Sequence, residues 1–132
     1  MQEIVSQPHA LFTLACAALM VVTSLVHSIL GEKRLIGPLL QQSEGVLRHG
    51  LARFLIRSVW HFMTVLFWII AASLIAGLNA ENAYSTPLLF GVCLGIGGAG
   101  VYDAIGSRGR HIGWPLLVLI GILAALALWV RP

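Results

Sequence analysis

Arg57-Ser58-Val59-Trp60-His61-Phe62-Met63-Thr64 decides how the chain is read, because a guanidinium and an imidazole stand here at the start of an apolar run that continues to Leu78. An ionisable residue inside a membrane span costs about 2.5–3.5 kcal/mol on insertion scales, and such residues usually face a bundle interior or a water-filled cavity. His61 is therefore the first candidate for a functional side chain.

The surrounding composition sets the solvent. Of 132 residues, 58% are hydrophobic and 10% are charged, against about 45–50% and about 25% in soluble domains. A helix rises about 1.5 Å per residue, so about twenty residues cross a hydrocarbon core of ~30 Å. Four runs of that length occupy about 10–30, 59–78, 87–105 and 112–130, and Asp103 is their only acidic residue. None of the four contains Lys or Arg. The expectation is all-α: a single transmembrane domain over 1–132, folded as a four-helix transmembrane bundle. The first run has an acidic flank at Glu3, lacks a basic segment before it, and exceeds the about 7–15 apolar residues of a signal peptide. It reads as a retained helix.

Lys and Arg in short loops are held on the cytoplasmic side. The first connection carries Lys33, Arg34, Arg48, Arg53 and Arg57, and the third carries Arg108 and Arg110, leaving Arg131 as the exception among eight basic residues. Both termini are therefore expected on the outer side. The net charge of +3 then reflects topology and contact with anionic lipid, and nucleic acid is not an expected partner.

Only the first connection is long. Gly31-Glu32-Lys33-Arg34-Leu35-Ile36-Gly37-Pro38 reads as a turn, and Gln41 to Gly50 is polar. From Leu51, the residues Arg53, Arg57 and His61 recur every four positions, which puts them on one helical face. An amphipathic segment over 51–58 is expected to start the second helix before the membrane does, its arginines reaching lipid phosphates.

Counting inward at about 1.5 Å per residue puts His27, His61, Asp103 and His111 within one or two turns of the cytoplasmic boundary, with His111 opening the fourth helix. Thr13, Cys16, Met20, Thr23 and His27 share a stripe on the first helix; Arg57, His61, Thr64 and Trp68 share one on the second. Plain helix packing also produces such stripes, since small and hydroxyl residues let membrane helices approach. Besides proton or ligand handling by these side chains, three chemistries are open. His27, Glu32, His61, Asp103 and His111 include the donor types of a metal shell, imidazole and carboxylate. Two imidazoles among His27, His61 and His111 would suit a haem. The third is a purely structural cluster, in which His61 bonds Ser28 or a carbonyl and Arg57 or Arg110 pairs with Glu32 or Asp103. Asp103 beside Arg108 and Arg110 reads as such a latch. The sequence contains neither His-Glu-x-x-His nor Glu-x-x-His.

Gly95-Ile96-Gly97-Gly98-Ala99-Gly100 matches the dinucleotide-binding pattern, but a fourth apolar run follows at once where a soluble βαβ unit and a distant acid are required. Gly91, Gly95 and Ala99 read instead as a small-residue face for close helix contact, with a homo-oligomer or a larger membrane-protein partner as its use. Gly97-Gly98 is a candidate kink. Cys16 and Cys93 lie at similar depth and read as buried thiols rather than a disulfide.

The blocks His27-Ser28-x-x-Gly31-Glu32, Arg57-x-x-Trp60-His61-x-x-Thr64-x-x-x-Trp68 and Arg110-His111-x-x-Trp114-Pro115 resemble those of uncharacterised small four-helix membrane proteins of bacteria. The resemblance covers most of the chain. It implies a multi-pass protein of the inner (plasma) membrane and supplies no catalytic residues. The functional expectation is a structural or accessory membrane protein with a polar cluster at the cytoplasmic end, the alternative being a metal- or haem-binding protein. Whether it is an enzyme is left open by the sequence.

Overall fold

The computed structural model describes residues 7–42, 44–79 and 85–131. Glu3 and residues 80–84, most of the second connection, lie outside them. Among the described residues the protein is helical and contains no strand. Four helices form it: α1 (Pro8–Gln41), α2 (Gly50–Leu78), α3 (Ser85–Gly106) and α4 (Trp114–Trp129). The first three are long and apolar enough to cross a membrane.

α4 departs from the expected span. Its sixteen residues at about 1.5 Å each give about 24 Å, short of a ~30 Å core. The helix starts late because Arg108 (φ 53°) and Gly109 (φ 72°) are left-handed, and because Pro115, at the first turn, lacks the N–H that a preceding turn would need. His111 therefore sits in the turn before α4 rather than opening it.

The expected turn at Gly31 is absent. Gly31 has helical angles (φ −64°, ψ −44°), and the helix continues through a π turn, Glu32–Ile36, into Gly37–Gln41. Pro38 explains the π turn. Its ring would press on the carbonyl four residues back in a regular α-helix; the wider turn just before it relieves this, with the Gly37 N–H bonded to the Glu32 carbonyl. The chain reverses only after Gln42 turns extended, and Gly45–Arg48 forms a 3₁₀ turn. Ile36, Leu40 and Leu47 bury together there against Ile56 and Trp60.

α2 begins at Gly50, so the 51–58 segment is helical as expected. α3 contains a second π turn at Val92–Gly97, ending where the Gly97-Gly98 kink was expected. Its buried positions step from Val92 to Gly97 and then Gly100. The extra residue in the π turn rotates the packing face onto Gly97 and Gly100.

α1 packs against α2 and α4, and α4 against α3, while α2 meets α3 chiefly through Ser85–Gly91. The core lies where all four helices meet and includes Cys16, Ala17, Met20, Leu74, Leu89, Ile120 and Ala124. The expected α1 stripe is the buried one: Thr13, Cys16, Met20 and Thr23 are all buried. Outside, Leu51, Phe54, Leu94, Tyr102 and Trp129 expose 65–86% of their surface. So large an apolar exterior fits a lipid-facing surface and not an aqueous one.

Candidate functional site: a polar ladder between α1 and α2

Ser24, Ser28 and Glu32 recur every four residues along α1, and Arg57, His61, Thr64 and Trp68 run along α2. Residues three and four apart share a helical face, and the two helices are antiparallel, so the rows meet rung by rung. Arg57 Nη2 lies 2.9 Å from Glu32 Oε1. His61 Nε2 lies 3.3 Å from Glu32 Oε2, and its Nδ1 lies 2.7 Å from Ser28 Oγ. Further in, Trp68 Nε1 donates to Ser24 Oγ at 3.0 Å and Thr64 Oγ1 donates to the Ser24 carbonyl at 3.4 Å.

The bonds fit a neutral ring in one tautomer: a carboxylate at Glu32 can only accept, so Nε2–H of His61 donates to it and Nδ1 accepts from the Ser28 hydroxyl. Both ring nitrogens are then engaged. Glu32 uses one carboxylate oxygen for Arg57 and the other for His61, so no free lone pair of His61 remains for an outside ligand.

His27 is on the adjoining face of α1 and does something different. Its ring stacks on Trp60, centroids 4.0 Å apart and planes 16° off parallel. Trp60 reaches that position by lying on Gly31, where an added Cβ would come within 2.1 Å of Trp60 Cζ2. The ring nitrogens of His27 have no hydrogen-bond partner among the described residues.

Asp103 pairs with His111 Nδ1. The expected latch to Arg108 or Arg110 does not form: the left-handed turn at Arg108 and Gly109 brings His111 back over the end of α3, and its backbone N–H donates to Ser107 Oγ at 3.3 Å.

The five candidate ligands thus divide. Glu32 and His61 belong to the ladder, Asp103 and His111 pair at the end of α3, and His27 stacks on Trp60. Among the described residues no three His, Cys, Asp or Glu side chains group to hold a metal ion. The donors present do not fit a metal shell as they stand, since those of His61 and Glu32 are already committed to one another, to Ser28 and to Arg57.

Within the chain, among the described residues, Gly91 and Gly95 of the small-residue face of α3 make no close helix contact. A Cβ built on Gly91 or Gly95 meets nothing within 4 Å, whereas one on Gly97 would approach the Gly121 Cα to 3.0 Å and one on Gly100 the Val118 nitrogen to 2.7 Å. Gly95 and Ala99 instead line a cleft of about 290 Å³, with Thr23, His27, Thr64 and Phe67 on its other walls. It opens because α2 and α3 meet chiefly at one end.

Three contributors escape inspection of the histidines alone: Ser24, Trp60 and Gly31. The four-residue recurrence of Ser24, Ser28 and Glu32, opposite that of Arg57 and His61, was the signal available for the first. For Trp60 and Gly31 the sequence carried no signal, because Gly31 ahead of Gly37-Pro38 reads as a turn. Compared with known proteins, the chain matches no protein-family model, no curated protein and no solved structure.

Proposed function

We propose that the protein is a structural or accessory membrane protein, a four-helix transmembrane bundle in which the Arg57–Glu32–His61–Ser28 ladder locks α1 to α2. The observation that carries this reading is the saturation of His61: both its nitrogens are bonded within the chain. A metal or haem ligand must offer a free imidazole lone pair, and a lock needs none. Interhelical hydrogen bonds in membranes are worth about 0.6 kcal/mol on average, so several rungs together outweigh any one.

In the same proposal both termini lie outside, the ladder sits at the cytoplasmic end, and the membrane is the bacterial inner membrane. The grouping of Lys and Arg in connections one and three supports the orientation.

The test compares purified parent, His61→Ala and His27→Ala proteins by elemental analysis, visible absorption and thermal unfolding. His61→Ala is expected to lower stability by about 1–3 kcal/mol, the loss of two part-buried hydrogen bonds, one of them to a carboxylate, with no metal or Soret band in any of the three. A stoichiometric metal or a haem band in the parent that disappears in His61→Ala would replace the lock with a cofactor site.

A further inference from the structure

The cleft between α2 and α3 is not used by the lock. Its lining is mostly apolar, including Met63, Phe67, Ile96 and Leu117, with Thr23, Ser24 and His27 from α1 and Thr64 from α2. Ser24 Oγ donates to the Val21 carbonyl and Thr64 Oγ1 to the Ser24 carbonyl, which leaves Thr23 and His27, one turn apart, as the donors not used among the described residues. Thr23 is 6% exposed, and its Oγ1 is buried without a hydrogen-bond partner. A hydroxyl buried without a partner has lost its hydrogen bond to water without replacement, so an occupant that accepts a hydrogen bond from it recovers that loss. His27 is held by its stack on Trp60 with both nitrogens unbonded, and a neutral imidazole has one N–H to donate.

We propose that this cleft binds a flat, neutral, lipid-soluble ring compound with acceptor oxygens, of the quinone class, with Thr23 and His27 donating to those oxygens. Three features select it. The volume of about 290 Å³ is roughly twice that of an engineered apolar cavity of ~150 Å³ that takes up benzene, the size of a two-ring compound. A second helix, ~10–12 Å across with its side chains, is too large for it. The available protein groups are two donors facing an apolar wall, which favours a neutral ligand with acceptors over a charged headgroup. Gly95 and Ala99 then have a use that spacing alone does not show: beside Ile96, they keep the α3 wall low enough to leave the cleft open. The inference concerns binding, and no electron transfer is assigned.

The experiment is equilibrium dialysis of the full chain in detergent micelles against 1,4-naphthoquinone, with naphthalene as the ligand of the same shape lacking oxygens. Saturable one-to-one binding of naphthoquinone is expected, about fivefold to tenfold weaker in Thr23→Val and in His27→Phe, which keeps the stack on Trp60. Gly95→Phe places a ring in open space and is expected to abolish binding without lowering thermal stability. Should Gly95→Phe fail to fold, Thr23→Val still decides. Equal binding of naphthalene and naphthoquinone, unaffected by Thr23→Val, would overturn recognition of the oxygens. Absence of saturable binding, or efficient disulfide cross-linking of a Gly95→Cys variant into dimers, would overturn the site, the latter by showing a second copy there. None of these outcomes changes the expected stability loss in His61→Ala.

Discussion

His61 illustrates how a single residue resolves an ambiguity that the sequence leaves open. An imidazole near the end of a span is compatible with a metal, a haem or a lock, and what decides is which atoms reach its two nitrogens. Ser28 and the pairing of Arg57 with Glu32 were both readable as options; that one imidazole joins them was not, because Glu32 was assigned to a turn. Gly31 is the residue-scale counterpart. Gly31→Ala would drive a methyl into Trp60, and Trp60 has little freedom to yield while it stacks on His27. The expected loss is about 1–3 kcal/mol, typical of overpacking, measured by thermal unfolding with tryptophan fluorescence reporting the displaced ring. An unchanged melting curve and spectrum would show that Trp60 does not need this glycine.

The helices themselves were legible from hydropathy, and their boundaries failed where backbone hydrogen bonding overrode composition. α1 runs past Gly31 because the π turn accommodates Pro38, and α4 is short because its chain first turns through Arg108 and Gly109. A π turn adds a residue to the period, so a face extrapolated across it is misassigned. Within the chain, the α3 contacts accordingly fall on Gly97 and Gly100 and not on Gly91 and Gly95. Two substitutions separate the alternatives. Gly121→Ala would bring a Cβ to 2.6 Å from the Gly97 Cα, a backbone atom that cannot swing aside, and is expected to destabilise by about 1–3 kcal/mol or more. Gly95→Ala meets open space and is expected to leave stability within about 0.5 kcal/mol of the parent. The reverse order of effects, measured by denaturation in the same detergent, would return the contact face to Gly95.

At the scale of the molecule, α1 is the shared element, packed on α2 along the ladder and on α4 through the core. The lock therefore ties the hairpin at the end where the basic connections lie, and the cleft opens on the side where α2 and α3 part. Reporter fusions after Glu81 and after Pro132 are expected to be active only on the outer side; activity of the Pro132 fusion in the cytoplasm would invert the molecule and move the ladder to the opposite face. A double-mutant cycle on Ser28→Ala and His61→Ala, followed by thermal unfolding, tests the lock most directly. Bonded partners are expected to be non-additive by about 0.5 kcal/mol or more. Losses that add to within about 0.3 kcal/mol would mean that the two side chains do not act on one another, and the ladder would not be what joins α1 to α2.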